Sequence, residues 1–268
     1  MTIGEFLQQA TTKLQGFGIE SARLDCLILL EDELGKDRSL LLAHLDKTLP
    51  LAAKKRIERR LQLRKQHLPL AYIRHHVTFY GRDFYINEHV LVPRPETEDM
   101  IDIVKGLPLP IAPRLADIGT GSGCIGLSAA LELPGAILDL YDTSPKALSV
   151  ARKNAKNLAV QAAFHTNNLL SGVKAHYDVI FANLPYVPTD YPINKAAAHE
   201  PAIALFAGAD GLVLYRQFWK QLAELPQKPR FVLCEALPMQ HTILKALASD
   251  AGFTLRRSEG LIQLFAIA

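Results

Sequence analysis

The sequence predicts an α/β fold with a mostly parallel sheet, led by a small helical region. Three observations carry that prediction. From residue 114 onward, apolar strand-like runs alternate with segments of helical spacing, the pattern of strand–helix–strand units with helices on both sheet faces. A glycine-rich loop, Gly119-Thr120-Gly121-Ser122-Gly123, falls where the first of those strands hands over to its helix. Ahead of Pro69, apolar positions recur at helical spacing.

The helical region is read in four pieces. Ile3, Phe6, Leu7 and Leu14 form one stripe over residues 3–14. Ser21 is placed to cap a second helix carrying Leu24, Leu27, Ile28 and Leu34, which Gly35 ends. A third short piece lies near residues 39–45. A fourth starts at Pro50 and carries Leu51, Ile57, Leu61 and Leu63 among Lys54, Lys55, Arg56, Arg59, Arg60, Arg64 and Lys65. That basic run reads either as a solvated helix face or as a docking surface for an acidic protein or RNA.

After Pro69 the pattern changes. Residues 77–80 and 83–86 read as a β-hairpin turning at Gly81-Arg82. His75-His76 stands at its start, and adjacent strand residues point to opposite faces, so the pair makes a poor shared metal site; no metal is expected. The run Val90-Leu91-Val92-Pro93-Arg94-Pro95-Glu96-Thr97-Glu98 is a loop stiffened by two prolines, with Glu96 or Thr97 opening the next helix.

Seven strands follow, at residues 115–118, 137–141, 162–165, 177–182, 231–234, 253–257 and 261–267. Helices are expected at 124–131, 145–158, 211–222 and 239–249. The last two strands form an antiparallel hairpin at or near the sheet edge. Tyr215, Phe218, Trp219 and Leu222 follow helical spacing and are assigned to the core.

At 268 residues, 49% hydrophobic and 21% charged, the chain has room for one large core plus a smaller domain. A net charge of +3 neither demands nor excludes nucleic acid, since clustering decides that. Cys26, Cys124 and Cys234 are odd in number and lack metal-ligand spacing, as in a reduced compartment. The N-terminus lacks a basic leader and no apolar run suits a bilayer, so a cytoplasmic location and no membrane partner are expected.

The glycine loop sits at the switch point where doubly wound sheets bind ligands. Gly121-x-Gly123-x-x-Gly126 also satisfies the dinucleotide pattern, which keeps a nicotinamide cofactor in play. Two acids favour S-adenosyl-L-methionine. Asp117, two residues before Gly119, is placed to order the loop and face an ammonium group, directly or through water. Asp142, ending the second strand, is placed to accept both ribose hydroxyls, a feature shared with nicotinamide sites. Asn168-Leu169, after the third strand, would border an adenine.

Asn183-Leu184-Pro185-Tyr186 ends the apolar run 177–182. Such a segment can be an ordinary turn. It also suits an enzyme that holds a planar –NH2 group, with the Asn183 side-chain oxygen and the Leu184 carbonyl accepting both N–H bonds. Pro185 would stiffen the turn and Tyr186 would stack on the flat substrate. Glu235 ends a later strand nearby, either as an edge residue or as a support for the Tyr186 loop.

Taken in order, the glycine loop, Asp142 and Asn-x-Pro-Tyr resemble a class I S-adenosylmethionine-dependent methyltransferase, with its Rossmann-like, seven-stranded, mostly parallel sheet. The run 92–98, the Thr78-Phe79-Tyr80-Gly81 hairpin and Glu200-Pro201 narrow the resemblance to the HemK/PrmC family of protein-(glutamine-N5) methyltransferases. The resemblance covers nearly the whole chain. It implies a substrate-recruiting helical domain over 1–74, a β-hairpin linker over 75–92 and a catalytic domain over 93–268. It implies that S-adenosyl-L-methionine is used and S-adenosyl-L-homocysteine released. Gly119 to Gly123, Asp142, Leu169 and Asn183 would line the cofactor site. Asn183 to Tyr186 would grip a substrate glutamine, with Phe79, Arg94 and Pro95 shaping the entrance. The implied partners are peptide chain release factors, methylated at the glutamine of Gly-Gly-Gln; a monomer that meets this large protein substrate and does not itself bind nucleic acid is expected.

The chain departs from the family where Leu184 replaces the usual Pro, where Asn168-Leu169 replaces an Asp-aromatic pair, and in the tail 256–260. Asn-Leu-Pro-Tyr also resembles the rRNA adenine dimethyltransferases. Those carry their extra helical domain after the core and lack the run 93–98, so domain order favours glutamine. A ribosomal-protein glutamine remains an alternative target, and a cofactor-binding scaffold without turnover a third reading.

Overall fold

The computed structural model describes all 268 residues. They form two compact units, Met1–Arg74 with Asn194–His199, and His75–Ile193 with Glu200–Ala268. No helix is long and apolar enough to cross a membrane.

The first unit is helical: Ile3–Gln15, Ala22–Leu34, Arg38–Leu42, Leu51–Lys65 and Leu70–Arg74. Thr2 and Glu5 form a capping box at its start, and Gly35 ends the second helix in a left-handed conformation. Ser21 makes no side-chain cap. Phe6, Leu7, Leu14, Leu29, Leu30, Leu41 and Ile57 form the core. Leu24 and Leu63 lie outside it, exposed, because their helices bury a stripe centred on Cys26, Leu30, Ile57 and Leu61.

Much of the basic run is engaged inside this unit. Arg64 makes a buried pair with Asp25 at 2.6 Å, Arg56 and Arg60 face Glu33, Lys54 faces Glu58, and Lys65 lies 5.3 Å from the Phe17 ring. Lys55 and Arg59 stay exposed.

In the second unit, β1 (Val77–Phe79) and β2 (Arg82–Phe84) form the hairpin. Its turn is Tyr80-Gly81, one residue earlier than expected, with φ of 48° and 67°. Two positive φ values suit the tight turn that matches strand twist, and they register Phe79 opposite Arg82. His75 has φ 56° and precedes the strand; it stacks on Tyr85 while His76 bonds Asp83.

The main sheet comprises β3 (Arg114–Ile118), β4 (Ile137–Asp142), β5 (Ala163–Thr166), β6 (Val179–Ala182), β7 (Phe231–Glu235), β8 (Phe253–Glu259) and β9 (Ile262–Ile267). Their order is β5-β4-β3-β6-β7-β9-β8. The first five are parallel, and β9 runs antiparallel to both neighbours. The expected edge hairpin therefore has β8 outermost and β9 inserted beside β7. Trp219 packs against Phe218, Phe253 and Phe265 in one core. Leu115, Leu138, Leu140, Phe181, Met100 and Ile101 belong to the other. Topology reverses between β3 and β6, and their carboxyl ends carry the glycine loop and Asn183 side by side.

Candidate active site

A cavity of about 700 Å³ opens at those strand ends, within the range of small-molecule sites. Gly119, Thr120, Gly121 and Ser122 form one wall, Asp142 to Ser144 and Asn167 to Leu169 a second, and Asn183 to Pro185 a third, with Pro93, Arg94 and Thr97 beside the last.

The glycine wall is a backbone cradle. Gly119, Gly121 and Gly123 have φ of 72°, 53° and 81°, values that only glycine adopts freely. The N–H groups of Gly119 and Thr120 both donate to the Tyr141 carbonyl at 2.9 Å. Gly121 N–H donates to Asp142 Oδ2 at 2.9 Å, and Ser144 N–H to Asp142 Oδ1 at 2.8 Å. Each carboxylate oxygen of Asp142 keeps a lone pair for a further donor, and burial raises its pKa. These features fit a nucleoside ligand with vicinal hydroxyls.

Asp117 does not line the cavity. Its carboxylate lies fully buried beneath the loop, with Oδ2 accepting from the Thr120 hydroxyl at 2.6 Å and Gly126 N–H at 3.1 Å. Asp117 therefore orders the loop; direct contact with a ligand ammonium is not what this geometry offers. Its Oδ1 is buried without a partner, and burial pushes its pKa up to about 6. The folded state thus holds this proton more tightly than the unfolded chain does. Stability from Asp117 is present below the ordinary carboxylate pKa and is lost as pH rises to about 6, amounting to about 3 kcal/mol at neutral pH. Asp117→Asn should accordingly gain up to about 3 kcal/mol at pH 7 and nothing at pH 3.5, read by urea denaturation at both. Equal effects at the two pH values would contradict the burial cost.

Asn183 stands at the end of β6 and lines the cavity. Its Nδ2 donates to Thr97 Oγ1 at 3.3 Å, which leaves Oδ1 as the free acceptor. The Leu184 backbone is held by Tyr215, whose hydroxyl lies 3.4 Å from Leu184 N, 2.7 Å from the Ala182 carbonyl and 2.6 Å from that of Glu235. The Leu184 side chain is buried and reaches over Gly119, where a Cβ would come within 3.1 Å of it. Leucine thus fills the space above the glycine cradle while the backbone carbonyl stays available.

Pro185 faces the cavity; Tyr186 does not line it. The Tyr186 hydroxyl instead donates to Glu235 Oε1 at 2.9 Å, and its carbonyl accepts from Gln240 Nε2 at 2.7 Å. Glu235 therefore supports the Tyr186 loop. Arg94 lines the cavity, bonded to the buried Glu200 at 2.6 Å, and Glu200 also accepts from Val92 N–H at 2.9 Å.

Two expected entrance residues are displaced. Phe79 is 1% exposed and packs edge-to-face on Phe84 in the core. Pro95 is exposed at the start of a 3₁₀ turn, Pro95–Glu98, and Pro93 takes the cavity position. Asn168 and Leu169 both line the cavity, Leu169 with φ 53°.

Residues 5–74 match the PrmC N-terminal domain, and residues 103–204 match the methyltransferase small domain. A release factor glutamine methyltransferase of Koribacter versatilis is 34% identical over 234 residues, covering 84% of this chain and 82% of that protein. The chain belongs to the release factor glutamine methyltransferase family. A bifunctional methyltransferase of Rickettsia felis is 35% identical over 249 residues, or 80% of this chain, and the chain spans about half that relative's length, 47%. Among solved structures, the hMettl16 catalytic domain in complex with an RNA hairpin aligns with TM-score 0.52 and 17% identity over 81% of each chain. That degree of likeness speaks to fold alone.

Several supporting residues of this family member escaped the sequence reading. Asn154 is buried and ties the glycine loop to the hairpin segment, donating to Ser122 O at 2.8 Å and Tyr85 O at 2.9 Å. Tyr215 lies in the core as its spacing predicts, and its hydroxyl carries the supporting role. Gly211, expected inside a helix, lies before it with φ 75° and its backbone against Tyr186. An Asp-Gly pair at 210–211 was the available turn signal.

Proposed function

We propose that the chain transfers a methyl group from S-adenosyl-L-methionine to the side-chain amide nitrogen of a glutamine, that of the Gly-Gly-Gln motif in a peptide chain release factor. The observation that carries this reading is Asn183, whose NH2 end is committed to Thr97 while its oxygen is left free beside the glycine cradle. A free oxygen next to an available Leu184 carbonyl makes a pair of acceptors for a donor –NH2. The family membership and the relative named for this activity support the same reading.

S-adenosyl-L-methionine supplies an electrophilic methyl on a positively charged sulfur. The residues that would hold it are Gly119 to Gly123, Asp142, Asn168 and Leu169, all at the cavity except Gly123, which caps the helix behind the loop. A carboxamide nitrogen is a poor nucleophile because its lone pair is delocalised. Asn183 and Leu184 accept its two N–H bonds, raise electron density on nitrogen and fix its approach; as nitrogen takes the methyl and the carbon–sulfur bond breaks, one of its two protons leaves to solvent. Orientation of this kind is worth up to about 7–11 kcal/mol in well-aligned systems. Tyr186 contributes by bracing the loop through Glu235, and Arg94 by holding the opposite rim through Glu200.

Residues 1–74 are assigned the recruitment of the protein substrate, 75–92 the linking role and 93–268 the chemistry. The helical unit has a groove of about 360 Å³ lined by Lys13, Lys54 and Lys65 together with Glu58, which pairs with Lys54. Purified chain and labelled donor with release factor, ribosomal protein or ribosomal RNA, each in a separate reaction, test the reading. Label is expected on the release factor; label on RNA alone, or on a ribosomal protein in preference, would overturn it.

A further inference from the structure

We propose that Glu235 sets the hydrogen-bond polarity of the acceptor site: acting with Thr97, it holds the NH2 end of Asn183 away from the substrate, so that the site selects a carboxamide over a carboxylate. This inference rests on the glutamine reading above and adds to it the residue that enforces the choice.

An asparagine side chain fits its space in either of two orientations, since oxygen and NH2 are nearly the same size; only its hydrogen-bond partners choose between them. Here Asn183 Nδ2 donates to Thr97 Oγ1 at 3.3 Å. Having accepted that bond, the Thr97 hydroxyl has its own proton to give. Glu235 is 1% exposed and sits at the end of β7, beside the end of β6. One of its oxygens, Oε1, takes the Tyr186 hydroxyl at 2.9 Å. The other, Oε2, is buried with no hydrogen-bond partner; burial raises the carboxyl's pKa, and Thr97, Tyr186 and Asn183 oppose that as side-chain donors close to it. A carboxylate can only accept. A flipped Asn183 would aim its oxygen at Thr97 and Glu235, gathering acceptors on a buried anion, which is costly. The unflipped form is therefore enforced, and its outward oxygen repels a carboxylate.

Thr97 belongs to the run 92–98 and Asn183 to the Asn-x-Pro-Tyr loop, so Glu235 joins two segments that lie far apart in the sequence. The Tyr215 hydroxyl ties the backbone of residues 182–184 to that of Glu235.

The test compares wild type, Glu235→Gln and Thr97→Val with a release factor carrying either Gln or Glu at the acceptor position. Binding is measured with S-adenosyl-L-homocysteine present, and turnover separately with the methyl donor. Wild type should prefer the Gln form by at least about 100-fold, as buried polar sites do when a partner is mismatched. Glu235→Gln can donate as well as accept, so the preference should fall to within about fivefold. Its kcat should fall about 100-fold, with donor affinity unchanged within about threefold. Thr97→Val keeps the shape of the relay and removes its hydroxyl; the preference should shift in the same direction by a smaller factor, which also covers a misfolded Glu235 variant. Retention of the wild-type preference in both variants would overturn the inference, even if rates fell, because a bracing role alone predicts lower rates with unchanged selectivity. Binding does not require turnover. A preference that is present in wild type and lost in the variants, without any methyl transfer, would uphold the polarity role and sink the functional reading.

Discussion

Asn183→Ala is expected to lower kcat by about 10²–10³-fold, the loss seen when one preorganised polar contact to the reacting group is removed. Affinity for S-adenosyl-L-methionine should change by less than about threefold, because the cradle that would hold it stands on other residues. The Asn183 oxygen is the side-chain acceptor in the loop that is free of internal partners, its NH2 being tied to Thr97. Alanine removes it and leaves the Leu184 carbonyl as a single acceptor, so the amide nitrogen is neither polarised on both sides nor held in line. Truncation also frees Thr97 and Glu235 to rearrange, which lowers the rate further. Steady-state rates with a release factor, beside calorimetric titration of the donor, separate the two effects. A variant with near wild-type kcat would mean that this asparagine is not the grip.

Gly211→Ala should be nearly as damaging, although this residue lies outside the cavity wall. A Cβ built on Gly211 overlaps the Tyr186 carbonyl oxygen, comes within 2.8 Å of its carbon and 2.6 Å of Gln240 Nε2. The φ of 75° adds a conformational cost of about 1–2 kcal/mol for any residue with a Cβ. Gln240 Nε2 bridges the carbonyls of Tyr186 and Asp210 at 2.7 and 2.8 Å, so the clash falls on the bonds that seat the loop. We expect a stability loss of about 2–4 kcal/mol and a kcat reduced about 100-fold, since a displacement of this size misplaces both acceptors. Denaturant unfolding and turnover at a temperature where the variant stays folded measure the two separately. Wild-type turnover would show that Gly211 does not set the loop's position.

What was legible in the sequence was local. The strands of the parallel sheet showed as compact apolar runs, because buried parallel strands cannot alternate, and the glycine loop and Asn-Leu-Pro-Tyr are contiguous motifs. The hairpin turn falls one residue earlier than expected, since nothing in Tyr80 announces a φ of 48°; Phe79, which the resemblance put at the entrance, is buried against Phe84. Gly211 was absorbed into a helix for the same kind of reason. Partners remote in the chain were hardest to foresee. Glu200 meets Val92 across 108 positions, Thr97 meets Asn183 across 86, and Asn154 meets Tyr85 across 69. Such pairings come from the sheet order, which periodicity does not encode. Asp117 lies buried beneath the loop that it bonds, a placement that the sequence does not separate from a ligand-facing one, because a buried carboxylate and a ligand-facing one look alike there.

The most direct test of the central claim is peptide mapping by mass spectrometry of a release factor incubated with the chain and S-adenosyl-L-methionine. One added methyl on the glutamine of Gly-Gly-Gln, present with wild type and absent with Asn183→Ala, is the expected result. A methyl group on any other residue, or an equal yield from the Asn183 variant, would contradict it.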